Sequence, residues 1–150
     1  MQIASERMCY NLLYDYTTSR YPDKHNKPTT KTKTMIVIQE LKKQESANIN
    51  DDFRILKALK SGKYKMSIQG STGHYCSPRV TLPIEDYDSM ELALFNKNGW
   101  FHITRSSVLR AFPRYNELLE RADGINSPAP VFGYVSVDLI NDLYVYLNGA

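Results

Sequence analysis

Two segments of this chain alternate apolar and polar residues with the two-residue period of a β-strand. The apolar positions are Tyr64, Met66 and Ile68 in residues 63–69, and Met90, Leu92 and Leu94 in residues 89–95. Because successive side chains of a strand point to opposite faces, each segment buries one face and exposes the other. Strands of this kind predict an antiparallel sheet with one apolar face, packed against other elements.

Turn and strand signals extend this sheet. Asn98-Gly99 follows the second segment, and this dipeptide is the strongest short-range signal for a hairpin. We therefore predict an antiparallel return strand over residues 100–103. Residues 80–84 are predicted as a short extended piece that Pro83 ends, and residues 131–135 as a short apolar strand around Gly133.

Helices are predicted from capping residues and apolar periodicity. The first covers residues 5–17, and a second begins at Asn50, buries Phe53, Leu56 and Leu59, and ends at Gly62. A third is capped by Ser106 or Ser107, kinks or restarts at Pro113, and ends at Gly124. The last is capped by Ser136 and buries Leu139, Ile140, Leu143 and Leu147. Residues 35–38 favour a short strand, with a helix through Leu41 as the alternative.

These elements predict an α+β fold, a small, mostly antiparallel sheet with about four helices packed on it. The 150 residues suit a single domain over 1–150 with a real core. In the alternative organisation, residues 1–62 are an N-terminal extension on a core of residues 63–150.

The sequence predicts a cytoplasmic protein. It contains no run of about 18 apolar residues that would span a membrane. Its first residues lack the basic and apolar regions of a signal peptide. In that compartment the thiols of Cys9 and Cys76 are expected to be reduced.

Charge is unevenly divided along the chain. Residues 1–79 carry 14 basic against 7 acidic residues, and residues 80–150 carry 5 against 9. A polarised surface of this kind suits contact with phosphate or with an acidic partner, whereas chance clustering on solvated faces is the alternative. Nucleic-acid binding through the basic N-terminal half is therefore one candidate function, although the net charge of +3 is modest for it.

The densest group of chemically capable side chains lies between the first two predicted strands. It comprises Gly70, Ser71, Thr72, Gly73, His74, Tyr75, Cys76, Ser77, Pro78 and Arg79. A glycine-rich turn after a strand can present several backbone amides to a phosphate or carboxylate. Arg79 would add a charge-assisted pair and His74 a further donor. We therefore predict an anion or small-ligand site here.

The residues of this segment also permit other functions. The spacing differs from that of a P-loop. Cys76 with His74 gives a possible nucleophile and base, which would make the protein a small cytoplasmic enzyme. His74 and Cys76 are too few ligands for a metal, so no metal and no cofactor are predicted. In the purely structural alternative, Cys76 packs as a small apolar residue and Arg79 pairs with an acidic neighbour.

Two aromatic residues outside the segment complete the predicted ligand site. Trp100 has the flat ring that stacks on a base, and Tyr134 follows Gly133, which permits a bulge or a close backbone approach. Core packing is the alternative for both rings.

Residues 67–79, Ser-Ile-Gln-Gly-Ser-Thr-Gly-His-Tyr-Cys-Ser-Pro-Arg, resemble the opening of a family of small phage and prophage proteins. In that family a strand of the form IQ(A/G)S runs into HYCxPR. Residues 87–93, 131–135 and 137–140 resemble its later strand, its closing (V/F)GYV piece and the start of its last helix. The resemblance covers roughly residues 66–149 and leaves residues 1–62 outside.

The resemblance implies a phage-type accessory protein, a class often directed against host defences. With the glycine, histidine and arginine cluster, it leads us to expect a protein that acts by binding, without turnover, in the host cytoplasm. It would inhibit a bacterial immune system by sequestering an anionic small molecule such as a signalling nucleotide, or by blocking a host defence protein. Gly73 and Arg79 would hold phosphate, and Tyr75 or Trp100 would stack. A homodimer is compatible with the sequence.

Overall fold

The computed structural model describes residues 35–45 and 52–150, which belong to one compact unit. These residues form four α-helices and a six-stranded sheet in which every paired strand is antiparallel. The predicted α+β class is therefore confirmed. The helix predicted over residues 5–17 lies outside the described residues.

The sheet has the strand order β1-β2-β3-β6-β5, with β4 paired to the end of β3. The strands are β1 Leu59–Ser61, β2 Tyr64–Gln69, β3 Ser89–Asn96, β4 Gly99–Trp100, β5 Ala122–Asp123 and β6 Val131–Ser136. The predicted strands over residues 63–69, 89–95 and 131–135 are confirmed. Strand β6 is thus inserted between β3 and β5, although β5 precedes it directly in the chain.

The helices are joined to one another through the last of them. They are α1 Ile36–Lys42, α2 Ser107–Arg110, α3 Tyr115–Leu119 and α4 Val137–Asn148, with a 3-10 helix over Ile84–Asp86. Helix α4 packs against α1 and against β1, β2, β3 and β6. The Tyr146 hydroxyl of α4 donates to the Val108 carbonyl of α2 at 2.9 Å.

A charged network ties α3 to α4. Arg114 Nη1 donates to Asp138 Oδ2 at 2.6 Å and to Asp142 Oδ2 at 2.7 Å. The other arm of the guanidinium pairs with Glu117, and that contact lowers the pKa of the glutamate and raises the pKa of Arg114. The network holds α3 against the long last helix.

The core lies between the sheet and α4. Two cross-strand rows of fully or nearly buried side chains face the helix, Leu59–Met66–Leu94 and Ile68–Leu92–Phe132. The four predicted apolar residues of α4 are all buried against them. The alternation read from the sequence therefore assigns the inner face correctly.

Local capping also agrees with the sequence. The Ser106 hydroxyl accepts from the Leu109 amide, and the Ser136 hydroxyl accepts from the Leu139 amide, each at 3.2 Å. Pro113 lies between α2 and α3, where the helix was expected to restart. In the hairpin the loop is Lys97-Asn98, and Gly99 follows it with a φ of +113°. The return strand is shorter than predicted, covering only Gly99–Trp100.

Three secondary-structure predictions are wrong. Residues 35–38 are not a strand but enter α1, as the alternative proposed. Residues 53–58 are not helical: a bend at Phe53 is followed by irregular chain that leads into β1. Helix α3 ends at Leu119 rather than near Gly124, because the chain turns back to pair β5 with β6.

Two glutamine side chains explain why residues 56 and 57 are not helical. The Gln69 amide group accepts from the Leu56 N–H and donates to the Leu56 carbonyl, both at 2.8 Å. Gln44 forms the same pair of bonds with Lys57, at 2.8 and 3.2 Å. These long-range bonds satisfy backbone groups that a helix would otherwise pair, so they compete with the helical pattern.

Membrane-spanning character was searched for in the part of the chain that the structure describes. No helix there combines the length and the apolar composition that crossing a bilayer requires.

Candidate functional site

The segment 70–79 folds over the end of the sheet at which β3 begins and β6 ends. Three hydrogen bonds fix its centre. The Tyr75 amide donates to Glu91 Oε2 at 3.0 Å, and the Tyr75 carbonyl accepts from the Tyr134 amide at 2.8 Å. The Ser77 amide donates to the Ser89 carbonyl at 3.0 Å. The loop is therefore held by β3 on one side and β6 on the other.

The first half of this loop is turned into the protein. Gly70, Ser71 and His74 are buried, and Ser71 Oγ and His74 Nδ1 share a hydrogen bond of 2.7 Å. The ring of Phe53 stacks on His74 with centroids 5.0 Å apart and covers Gly73 so closely that a Cβ there would overlap it. Burial lowers the pKa of His74, so the neutral ring is favoured near neutral pH.

Backbone amides of the loop are engaged within the protein. The Gly73 amide donates to Ser71 Oγ at 3.3 Å and the His74 amide to the Ser71 carbonyl at 3.2 Å. The Thr72 hydroxyl donates to the Asp52 carbonyl. Among the predicted anion ligands, the guanidinium of Arg79 is the cationic group that lies at the surface.

Cys76 lies in the core. It is 1% exposed, and its sulfur lies 3.3 Å from the Ser71 carbonyl oxygen and 3.4 Å from the Pro78 carbonyl oxygen, both within reach of its single S–H donor. Burial raises the pKa of this thiol. Because the thiolate is the nucleophilic form, this environment disfavours nucleophilic catalysis by Cys76.

The outer half of the loop presents an aromatic pair. Tyr75 and Tyr134 are 45% and 42% exposed, and their ring centroids are 6.0 Å apart at an angle of 49°. The guanidinium carbon of Arg79 lies 5.2 Å from the centroid of the Tyr75 ring. A Cβ at Gly133 would come within 3.2 Å of the Tyr75 Cβ, so glycine permits the close approach of loop and strand.

Tyr134 is held in an unusual backbone conformation. Its φ is +52°, and among the described residues no other non-glycine residue has a positive φ. The register of β3 and β6 shifts between Met90 and Leu92, so Gly133 and Tyr134 together oppose Glu91 in a β-bulge. The bulge turns the Tyr134 side chain toward solvent, beside Tyr75.

A cavity of about 410 Å³ opens beside this pair. We call it the tyrosine cavity. Its lining consists of Tyr75, Glu120, Arg121, Ala122, Asp123, Gly133 and Tyr134. Pockets of this volume suit small-molecule ligands, and the mixture of two rings, one cation and two carboxylates gives both stacking and polar contacts.

Trp100 is not brought to this cavity. Its ring packs against Phe95, with centroids 4.6 Å apart, at the far end of β3. Glu91, which holds Tyr75, precedes Phe95 by four residues, or about 13 Å along the strand. The structure thus groups Tyr75, Tyr134 and Arg79 and leaves Trp100 in separate surroundings.

Two arginines of this region were missed in the sequence. Arg121 lines the tyrosine cavity from the turn between α3 and β5. Arg54 is 2% exposed, and its Nη2 donates to the Gly70 carbonyl at 3.0 Å and to the Tyr87 hydroxyl at 3.3 Å. Its Nη1 lies 3.7 Å from Glu45 Oε1, and its Nε has no hydrogen-bond partner. Arg54 therefore holds the start of the loop from the buried side. No local sequence pattern predicts that this arginine is buried.

Metal-ligating groups were sought in residues 35–45 and 52–150. Within those ranges no three or more His, Cys, Asp or Glu side chains are arranged to hold an ion. Of the acidic residues near the loop, Glu85 pairs with Lys42 at 2.6 Å and Glu91 accepts from the Tyr75 amide.

Comparison with protein-family models, with curated proteins and with solved structures finds no match for this chain.

Proposed function

We propose that this protein acts by binding an anionic ligand of the nucleotide class in the tyrosine cavity, without converting it. A base would pack against the exposed rings of Tyr75 and Tyr134, and phosphate would pair with Arg79 and Arg121. Following the phage-type resemblance of residues 67–79, the biological role proposed is counter-defence by sequestration of a signalling nucleotide.

The observation that carries the proposal is the backbone of Tyr134. A non-glycine residue with a φ of +52° costs free energy, and such conformations persist where the surrounding structure imposes them. Here the strained residue is the one that places a second exposed tyrosine ring beside Tyr75. Strain of this kind concentrates at ligand sites, and a buried packing role would not need it.

Two guanidinium groups, one on the wall of the tyrosine cavity and one beside Tyr75, can pair with a phosphate. Arg79 is exposed and lies against Tyr75, so it can pair with a phosphate while the ring contacts a base. Arg121 adds a second guanidinium on the cavity wall, and Glu120 and Asp123 offer acceptors for base or sugar donors. The volume of about 410 Å³ is within the range of small-ligand pockets.

The test is a binding titration with purified protein and single nucleotides, preceded by mass spectrometry of small molecules released from the protein on denaturation. Arg79→Ala should weaken binding about 10- to 100-fold, because a charge-assisted hydrogen bond contributes about 1.5–3 kcal/mol. Arg110→Ala is the matched control, since it removes an exposed guanidinium from α2.

Two results would contradict the proposal. One is equal binding by the Arg79→Ala and Arg110→Ala variants. The other is the absence of binding by mono-, di- and cyclic nucleotides together with a protein that releases no small molecule. The second result would favour the version in which the protein blocks a host defence protein.

A further inference from the structure

A row of four side chains crosses the sheet at the end opposite the tyrosine cavity. The strand register pairs Lys60 with Lys65, Lys65 with Phe95 and Phe95 with Trp100. Directly opposed residues of antiparallel strands point to the same face, so these four side chains share one face of the sheet. We call them the lysine–aromatic row, and it spans about 14 Å across four strands.

This row lies on the face turned away from α4. The neighbouring register positions, Leu59, Met66 and Leu94, are buried under the helix, and alternation sends the row to the other side. Lys60 and Lys65 are exposed and Trp100 is 39% exposed. Trp100 packs on Phe95 and keeps more than a third of its surface exposed, so it can still contact a ligand.

The two chain segments that supply the row are basic, whereas Glu91 of β3 and Asp123 of β5 share its face but lie nearer β6. Residues 53–84 contain six Lys or Arg and no Asp or Glu. Residues 92–116 contain four Lys or Arg and, again, no Asp or Glu. These two segments supply β1, β2, β4 and most of β3. No acidic side chain from either segment therefore offsets the positive potential of the row.

Further cations stand at the edge of the row. Lys63 and Lys97 line one cavity of about 320 Å³, and Arg105 lines another of about 330 Å³. Both cavities share Tyr64 and Asn96, and Trp100 lines the second. Arg105 therefore lines the same cavity as Trp100, whereas Lys63 and Lys97 line the neighbouring one.

We propose that the lysine–aromatic row binds single-stranded nucleic acid. Bases stack on Trp100 and against the partly exposed Phe95, while Lys60, Lys65 and the cations at the edge contact successive phosphates. Sheet faces that combine exposed rings with lysines bind single strands in this way, because every base has a π-face and every nucleotide a charge. A duplex keeps its bases stacked internally and cannot make these contacts.

This proposal is independent of the tyrosine cavity. It uses other residues at the other end of β3, and variants of Arg79 or Tyr134 leave the lysine–aromatic row intact. Failure of one proposal therefore leaves the other standing.

The chain offers a direct probe, since Trp100 is its single tryptophan. Fluorescence excited selectively at tryptophan is measured while oligo-uridine or oligo-thymidine is added to the full chain. We expect quenching on binding, and a linear fall of log affinity against log salt between about 50 and 200 mM. Duplex DNA of the same length should bind more weakly and leave the tryptophan emission unchanged.

Two variants test the phosphate contacts and the base stacking separately. In the Lys60→Gln/Lys65→Gln double variant the salt slope should fall by about 1.4, because each phosphate contact on a single strand contributes about 0.7. Trp100→Ala, followed by anisotropy of a labelled strand, should weaken binding about fivefold or more. Lys42→Gln/Lys43→Gln is the matched control, since it removes the same charge from α1 on the helical side of the sheet.

Three outcomes would overturn the proposal. The first is the absence of binding by either strand at low salt. The second is binding without quenching, or equal displacement by inorganic polyphosphate, which would indicate a general polyanion site. The third is a salt slope that changes equally in the row variant and the α1 variant. Thermal unfolding of each variant confirms that the exposed substitutions leave the fold in place.

Discussion

At the scale of single residues, the backbone conformation of Tyr134 lowers the stability of the fold and places a ring at the proposed ligand site. The residue has a φ of +52° in a strand, where a side chain costs about 1–2 kcal/mol relative to ordinary backbone. The same backbone conformation places the Tyr134 ring beside the ring of Tyr75. A glycine at the same position would relieve the strain and remove the ring.

Comparing Tyr134→Gly with Tyr134→Ala therefore measures the strain. Both variants lose the ring, and the glycine variant should unfold with a free energy about 1 kcal/mol higher, as measured by urea denaturation. Both should lose affinity for the ligand of the tyrosine cavity. Val131 in the same strand is the control, and there the alanine variant should be the more stable one. The same order at both positions would rule out backbone strain at Tyr134.

Residue chemistry was partly visible in the sequence. The density of polar groups over residues 70–79 predicts a site in this loop, which stays a prediction, and Gly133 was expected to allow a bulge or close approach, as it does. Which side of the loop faces solvent was not visible, because that depends on Glu91 and Tyr134 holding its centre. The burial of Arg54 is likewise a tertiary fact, fixed by Gly70, Tyr87 and Glu45.

At the scale of elements, two glutamines hold the chain that leads into β1. Each accepts from the N–H and donates to the carbonyl of one residue, but one pair of bonds is buried and the other is exposed. The bonds of Gln69 to Leu56 are buried, and those of Gln44 to Lys57 are exposed. Unpaired backbone groups are costly when water cannot reach them and cheap when it can. Loss of the buried bonds of Gln69 should therefore cost more stability than loss of the exposed bonds of Gln44.

Replacing each glutamine by alanine should give unequal losses. Gln69→Ala leaves both backbone groups of Leu56 without a partner inside the protein and should lower the free energy of unfolding by about 3 kcal/mol. Gln44→Ala exposes its partners to water and should cost about 1 kcal/mol or less. Chemical denaturation of the two variants measures the difference. Equal losses would mean that the side chain of Gln69 acts through packing alone.

Elements governed by local signals were predicted well. Strands β2 and β3 follow from alternation, and α2 and α4 from serine caps that bond as expected. The residues that lead into β1 were misassigned because Phe53, Leu56 and Leu59 have helical spacing while the glutamine bonds are made by residues far away in sequence. Strand β5 was missed for the same reason, since its partner β6 defines it.

At the scale of the whole molecule, Cys76 reports on opening of the fold. Its thiol lies within the main core and within reach of two carbonyl oxygens. Because burial raises its folded pKa above the unfolded value, the thiol favours the folded state below about pH 8.5 and this contribution is lost as pH rises through the folded pKa.

In a Cys9→Ser variant, labelling of Cys76 by a thiol reagent near neutral pH should be slower than that of a free thiol by orders of magnitude. The rate should rise with urea in parallel with unfolding. Peptide mapping identifies the labelled residue. Rapid labelling of the folded protein, with a lowered pKa, would instead support the enzyme that uses Cys76 and His74.

The insertion of β6 between β3 and β5 ties the tyrosine cavity to the topology of the entire sheet. Met90 pairs with Val135, and the chain between them includes β4, α2, α3 and β5. The bulge that presents Tyr134 exists only after this long loop has closed, so an apparent binding constant at the cavity depends on the fraction of molecules in which β3 and β6 are paired. Affinity there is therefore a property of the completed topology: a substitution anywhere that loosens β3 from β6 lowers it through the fraction of molecules in which the site exists.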